Sequence, residues 1–377
     1  MSTSSSAAAL PPTSFRSHDY RWRLANAKDL ARSWIRTAFG AEAWFGRRGY
    51  LLGTDGTIHI TTTLCIWSTG ISLVDLEYRI SRALVHLRFH HPEVACRALR
   101  LHKYDYPGCP PEVVYTLAKD ATDVAAWASR IIHRAKPPLN GLKHSSTFKV
   151  SKKDIPPLSS VKIFSVLGTQ HEEAELEVGS HVMLVFVFHP VLWDGVSSHT
   201  FVGDLLRCIG DLWSAGAPGL ETLRQYDWGT ETDNLASSIL EACGADVSEI
   251  GHEFARERDK YIRKLKQGTS GWGLPVNSSR GKSQIIRRSI SIPQSHTLKL
   301  VMKHLFGPDY TLTHLGHAAM LLALLRVSPM PPDFPDSAAV VSPMLINGRR
   351  YLKGKDDYRR YGSCLATAFV DFAPLSQ

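Results

Sequence analysis

The sequence predicts a mixed α/β fold in which sheets are covered by helices, and three observations support this class. Apolar segments of strand length alternate along the chain with longer segments of helical spacing. One segment, residues 182–188, is apolar on both faces, as expected for a central strand between two layers. The chain has 377 residues and is 44% hydrophobic, so it can bury one large core or two medium ones.

Residues 181–207 contain the pattern around which the rest of the chain is interpreted. His189 ends the apolar strand, Asp194 and Gly195 form a tight polar turn, and residues 196–213 have the apolar spacing of a helix. A histidine and a carboxylate that a rigid strand delivers to the edge of a core form a usual arrangement for general-base catalysis.

This segment resembles the signature of the acyltransferase superfamily related to chloramphenicol acetyltransferase, which includes the plant-type BAHD enzymes and the condensation domains. The signature is His-x-x-x-Asp-Gly, often with an extra histidine in front, and the second histidine is the base. The resemblance, which is to the fungal secondary-metabolite branch, implies a two-lobed fold with mixed sheets, flanking helices and an inter-lobe tunnel. It extends over most of residues 65–372, but only residues 181–207 are specific.

The candidate site departs from that signature at the position of the base. His189 lies five residues before Asp194, and Pro190 occupies the place of the second histidine. A one-residue shift on a strand reverses the direction of a side chain. Three interpretations stay open: a bulge lets His189 act as the base, the base is lost, or His189 is an ordinary strand-end histidine.

The resemblance also assigns roles to the residues around the turn. His189 and Asp194 are the candidate catalytic residues, although the family's aspartate is mostly structural. Gly195 allows close backbone approach at the turn, and Trp193 and Arg349 are structural members of the motif. Arg349, in the segment Asn-Gly-Arg-Arg, is the expected partner of Asp194. No metal ligands are predicted, and the residues that bind a co-substrate are not identified.

The polar segments and the Gly- and Pro-rich segments of the chain predict its domain organisation. We expect a disordered tail, an N-terminal lobe with the motif, a crossover segment and a C-terminal lobe that is shorter than is usual in the family. Their bounds are 1–18, 19–215, 216–285 and 286–377. Within the N-terminal lobe, Ser72 and Asp120 are expected to cap helices, the second ending near Ala135. An Asp55-Gly56 turn predicts a hairpin over residues 51–66.

Two functions are compatible with these residues. The first is an acyltransferase that moves an acyl group from a coenzyme A or carrier thioester to a hydroxyl or amine of a secondary metabolite. The alternative, suggested by Pro190 and the short C-terminal lobe, is a protein of the same fold that acts as a cyclase or isomerase. Acyl-CoA is expected as a co-substrate of the first function, and no bound cofactor is expected.

Composition limits the partners. The net charge of +9 suits an anionic ligand, such as the phosphates of coenzyme A or an acidic carrier protein, but is also common in enzymes with no charged partner. The sequence has no phosphate-binding loop, dinucleotide loop, zinc-binding helix motif or nucleophile elbow. Its basic runs are too weak a signal to predict nucleic-acid binding. Six scattered cysteines and no membrane-spanning run favour a cytoplasmic protein. The resemblance implies a small-molecule substrate, and a monomer is expected.

Overall fold

The fold is described from a computed structural model. The residues described are 20–26, 32–52, 57–68, 70–99, 110–135, 160–167, 175–214, 226–244, parts of 253–263, 290–331, 340–353 and 361–372. The predicted tail (1–18) and the Asp55-Gly56 turn lie outside this part of the chain.

The strands of this part of the chain form three sheets. The first has the order β1-β2-β5-β4, the second has the order β3-β8-β7-β6, and β9 pairs with β10. β8 pairs antiparallel with both β3 and β7, whereas β6 and β7 are parallel, so the second sheet is mixed. The strands are β1 (Arg23–Leu24), β2 (Ser33–Thr37), β3 (Ile58–Cys65), β4 (Arg97–Leu99), β5 (Glu112–Thr116), β6 (Ile132–Ala135), β7 (Val161–Leu167), β8 (His181–Phe188), β9 (Val340–Asn347) and β10 (Leu365–Phe372).

The helices begin at the caps that their sequences supply. Ser72 Oγ accepts a hydrogen bond from the Asp75 N–H, and the Asp75 carboxylate accepts one from the Ser72 N–H, so α2 starts with the predicted cap. The Asp120 side chain caps α3 by accepting a hydrogen bond from the Asp123 N–H. The helices are α1 (Ala41–Leu52), α2 (Leu73–His90), α3 (Ala121–Ile131), α4 (Gly195–Ser214), α5 (Ile239–Ala242), α6 (Ile292–Phe306) and α7 (Leu312–Val327), with 3₁₀ turns at Pro92–Ala95, Glu231–Asn234 and Gly348–Tyr351.

β8 is a central strand that is covered on both faces, as the sequence predicts. On one face, Phe186 and Phe188 join the main hydrophobic core with residues of α2 and α4. On the other face, Met183, Val185 and Val187 pack in a second cluster with residues of β7. Burial on both sides fixes the register of β8, because a slip of one residue would exchange the two faces. The end of β8 is therefore a rigid place from which to start a site.

The chain divides into two compact units. One contains residues 1–250 together with 345–366, and the other contains residues 251–344 together with 367–377. The turn at Asp194 and the segment around Arg349 thus belong to one unit, although the sequence assigned the second segment to the C-terminal lobe. The predicted lobe boundaries at 215 and 285 stay a prediction.

Two local predictions were wrong. The first is the hairpin over residues 51–66, since residues 51 and 52 end α1 and β3 pairs with β8 instead. The alternating apolar and polar residues of β3 suit a strand that pairs along the edge of the central strand. The helix after Asp120 ends at Ile131, and residues 132–135 form β6 parallel to β7.

Candidate active site

The turn between β8 and α4 carries the candidate site. The carbonyl oxygen of His189 accepts hydrogen bonds from the N–H groups of Leu192, at 3.0 Å, and Trp193, at 3.1 Å. These bonds turn the chain sharply after β8 and bring Asp194 to the first turn of α4. Pro190 lies buried inside the turn, where it lacks an N–H that would need a partner.

Asp194 is fully buried and caps α4. Its Oδ1 accepts a hydrogen bond from the Ser197 N–H at 2.7 Å, and Ser197 Oγ accepts one from the Asp194 N–H at 3.0 Å. Its Oδ2 accepts from Arg349 Nη1 at 2.8 Å and from the Cys364 N–H at 2.7 Å. The carboxylate thus joins the head of α4 to Arg349, 155 residues later in the chain, and to Cys364, 170 residues later.

Arg349 is the partner of Asp194 that the sequence predicts. Its side chain is fully buried, and Nη2 donates to the Gly362 carbonyl oxygen at 2.6 Å, so the guanidinium bridges Asp194 and the loop before β10. Gly348, just before it, donates its N–H to the Cys364 carbonyl oxygen at 2.7 Å. A Cβ at Gly348 would lie 2.6 Å from that oxygen, so only glycine fits between β9 and the Cys364 backbone.

The Asp194 carboxyl is held in its charged form. Burial alone would raise its pKa, but the Arg349 guanidinium and the N–H groups of Ser197 and Cys364 bring the pKa below its ordinary value of 3.8. A carboxyl whose pKa is depressed by folding stabilises the folded state above its ordinary pKa. This stabilisation is lost as the pH falls through the lower folded-state pKa.

We therefore expect an acid limit to stability that depends on Asp194. The free energy of unfolding of the wild type should decrease as the pH is lowered below about 4. In an Asp194→Asn variant this contribution should be absent, so its unfolding free energy should fall less steeply over the same range. Urea unfolding at a series of pH values measures both slopes, and parallel slopes would contradict the expectation.

Aromatic side chains pack around the turn that follows β8. Trp193 is buried and donates its indole N–H to Ser160 Oγ at 2.6 Å. The buried Tyr361 ring lies 5.4 Å from the Trp193 ring and 4.4 Å from the His91 ring, between centroids, and its hydroxyl donates to Asp204 on α4 at 3.0 Å. Burial, with the Asp204 charge, raises the pKa of Tyr361, which keeps it a hydrogen-bond donor.

His91 belongs to the segment His90-His91-Pro92-Glu93, for which the sequence favours a structural role because no Asp-Gly pair follows it. Its N–H donates to the Leu87 carbonyl oxygen at the end of α2, and burial lowers its pKa below the ordinary value. The ring stacks on Tyr361. These contacts give His91 a packing role behind the turn.

The predicted reason for a glycine at position 195 is not met within the chain. Gly195 is exposed, and a Cβ built on it would meet no described residue within 4 Å apart from its chain neighbours and the backbone of its own helix. Among the described residues, the glycine therefore leaves the first turn of α4 uncovered.

His189 is half-buried, and its ring closes onto its own turn. The Val191 N–H donates to Nδ1 of His189 at 3.3 Å, and the His189 N–H donates to the Ser160 carbonyl oxygen at 3.0 Å. A ring nitrogen that accepts an N–H carries no proton, so in the neutral imidazole the proton lies on Nε2. In this tautomer Nε2 of His189 is a hydrogen-bond donor.

His199, which no motif in the sequence marks, has the opposite arrangement. It lies one turn into α4, and its side chain is exposed. Nδ1 lies 2.6 Å from the Gly195 carbonyl oxygen, which can only accept, so Nδ1 carries the proton and Nε2 of the neutral ring is an acceptor. The four-residue spacing from Gly195 to His199 is present in the sequence. It does not mark His199 as functional, because a histidine on the exposed face of a helix is usually an ordinary surface residue.

Metal and membrane features are absent from the described part of the chain. No group of three or more histidine, cysteine or acidic residues there has the geometry to hold a metal ion. None of the helices described there combines the length and the apolar character needed to cross a bilayer.

The comparison with protein families decides the classification. A family model described as "15-O-acetyltransferase Tri3" matches residues 10–377. The chain belongs to this family. The predicted class of acyltransferases is thereby confirmed, and so is the assignment as an enzyme.

Individual relatives agree with the family. Trichothecene O-acetyltransferase TRI3 of Trichoderma arundinaceum is 29% identical over 375 residues, covering 96% of this chain and 69% of that protein. Putative 15-O-acetyltransferase SAT12 of Stachybotrys chartarum is 26% identical, with 95% of this chain and 62% of that protein covered. Trichothecene 15-O-acetyltransferase TRI3 of Fusarium sporotrichioides is 26% identical, with 98% and 70% covered. The chain thus spans 62–70% of the length of these relatives.

Solved structures show the fold. The structure of TRI3 trichothecene 15-O-acetyltransferase from Fusarium sporotrichioides has a TM-score of 0.80 at 24% identity and covers 98% of this chain, which spans 70% of that one. The epimerization domain of tyrocidine synthetase B has a TM-score of 0.56 at 12% identity, with 90% of this chain and 69% of that one covered. These likenesses confirm the predicted chloramphenicol acetyltransferase-like fold class.

Proposed function

We propose that the chain transfers an acetyl group from acetyl-CoA to a hydroxyl of a trichothecene-type metabolite. The names of the relatives support the acetyl group and the acceptor, and the family supports transfer to oxygen. The observation that carries the proposal is the fully buried Asp194–Arg349 pair, which gives the head of α4 a fixed position beside the end of β8. A reaction that requires two substrates in one geometry benefits from such a rigid support.

The reaction needs one group that accepts a proton. The acceptor hydroxyl attacks the thioester carbonyl, a C–O bond forms, the C–S bond breaks, and the hydroxyl proton ends on the departing thiol. A neutral imidazole that takes this proton during attack contributes roughly 10²–10⁴ in rate. We propose His199 for this task, because its Nδ1 faces the Gly195 carbonyl oxygen and Nε2 of the neutral ring is then an acceptor, and we propose that His189 holds the turn through Val191.

The proposed function is tested by identifying the products. The 377-residue chain is incubated with acetyl-CoA and a trichothecene that has a free 15-hydroxyl, and both the ester and the released thiol are quantified. We expect one thiol released for each ester formed, with release that depends on the acceptor. A rearranged acceptor without consumption of thioester would instead establish the cyclase or isomerase alternative.

The donor is distinguished in the same assay. The sequence left a carrier-protein thioester open as the acyl source, and the net charge of +9 suits either donor. A carrier-bound acetyl thioester is supplied in place of acetyl-CoA at equal concentration. Turnover with the carrier thioester alone would contradict acetyl-CoA as the donor.

A further inference from the structure

A cavity lies within the unit that contains the turn. Its volume is about 580 Å³, and its walls come from the end of α2, β4, β5, α3, β6 and the start of β7. This volume lies in the range of pockets that hold small molecules, about 300–1,000 Å³. The ionisable residues that line it are Arg88, Arg97, Asp123, Arg130, His133 and Lys162.

Arg88 forms a fixed part of the wall. Its side chain is 5% exposed, Nη2 donates to the Thr116 carbonyl oxygen at 3.1 Å, and the guanidinium lies 4.9 Å from the centre of the Trp127 ring. Nε lies 3.5 Å from the Tyr115 hydroxyl, which donates to the buried Glu231 at 2.9 Å. Glu231 therefore balances the charge of Arg88 through Tyr115, and Arg88 is held in place without any ligand.

The other cations give the cavity a positive surplus. Arg97 contacts Thr116 Oγ1 at 3.2 Å, and neither Arg97 nor Arg130 makes an ion pair with any residue that the structure describes. The acid of the lining, Asp123, accepts a hydrogen bond from the Lys119 N–H at 3.3 Å. Two guanidinium groups that line a concave site and make no ion pair with a described residue favour an anion with several oxygen atoms.

We propose that this cavity binds a phosphate-bearing small molecule. Arginine forks match the oxygen pairs of a phosphate, and the planar Trp127 beside Arg88 adds an apolar wall. Two sources share this chemistry: the phosphates of the acyl donor and a free phosphorylated metabolite. Ser160 lines the cavity and also accepts hydrogen bonds from His189 and Trp193, so a ligand here lies against the support of the turn. The inference does not depend on the proposed acetyl transfer, because it concerns binding alone.

The test is a titration of the chain with inorganic pyrophosphate, followed by calorimetry at low ionic strength. We expect saturable binding of one pyrophosphate per chain. The exposed Arg130 and the half-buried Arg97 are changed to glutamine, singly and together, while Arg88 is kept because it holds the fold. Each change is expected to weaken binding by about tenfold, as the loss of one charge-assisted hydrogen bond would.

Lys119→Gln is the matched control, because Lys119 is exposed and precedes α3 but does not line the cavity. It should bind pyrophosphate as the wild type does. Equal weakening in Lys119→Gln and Arg130→Gln, or no saturable binding in the wild type, would overturn the proposal.

Competition identifies the source of the phosphate. If acetyl-CoA displaces pyrophosphate, and Arg130→Gln weakens acetyl-CoA binding to the same degree, the cavity holds the phosphates of the donor. If both bind at once, the cavity serves a separate phosphorylated ligand. Both outcomes support a phosphate site, and both are read without acceptor, so they are independent of turnover.

Discussion

Replacing Asp194 with asparagine is expected to destabilise the fold by about 3–5 kcal/mol. The change leaves the Arg349 guanidinium fully buried without an anionic partner, and it weakens the bond from the Cys364 N–H. The same change frees the head of α4 from the segments that follow β9. Equilibrium unfolding in urea measures the decrease in the free energy of unfolding. Trp193 is buried next to Asp194, so its fluorescence can be used to follow the transition.

The control for this prediction is a surface pair on the same helix. Arg207 and Asp204 lie 3.0 Å apart, but the Arg207 side chain is 60% exposed, so Arg207→Ala should change stability by less than about 1 kcal/mol. A double variant, Asp194→Asn with Arg349→Met, removes both partners and should be less destabilised than the sum of the single variants. Equal, small effects of Asp194→Asn and Arg207→Ala would contradict the role given to the buried pair.

Replacing His199 with alanine is expected to lower the turnover of acetyl transfer by roughly 10²–10⁴. The side chain is exposed, and its one hydrogen bond described here is to the Gly195 carbonyl oxygen within the same helix, so folding should be unaffected. The Michaelis constants should change little, because the imidazole acts on the proton rather than on binding. Steady-state kinetics with acetyl-CoA and the acceptor measure these parameters separately.

Two histidine variants set the comparison. His189→Ala should lower turnover by less than about tenfold, because its ring supports the turn through the hydrogen bond from Val191 and does not accept the substrate proton. His181→Ala, at the exposed opposite end of β8, should have no effect. A large loss in His189→Ala with full activity in His199→Ala would give the role of base to His189, which is one of the three interpretations that the sequence leaves open.

The parts of the site that the sequence predicts are those with strong local patterns. A strand that is apolar on both faces can only be central, so β8 and the start of α4 follow from residues 182–213 alone. The contact of Asp194 with Arg349 is predicted through the resemblance to a known signature, because no local pattern relates residues 155 positions apart. Both side chains are fully buried, so removing either one would leave the other as an unpaired buried charge.

Other features depend on contacts that no local pattern contains. The pairing of β3 with β8 joins segments more than 100 residues apart, whereas the Asp-Gly pair just before β3 suggested a local hairpin instead. The packing of Tyr361 on Trp193 and the cavity around Arg97 each combine several elements. The tautomers of His189 and His199 depend on which backbone group each ring contacts, and only coordinates provide that information.

The most direct test of the account measures acetyl transfer by His199→Ala while imidazole is added to the solution. The exposed position of residue 199 lets a free imidazole reach the vacated place at the head of α4. We predict a turnover that starts low and rises with imidazole to a plateau, whereas the His189→Ala variant shows no such rise. Full activity of His199→Ala before any imidazole is added would contradict the account.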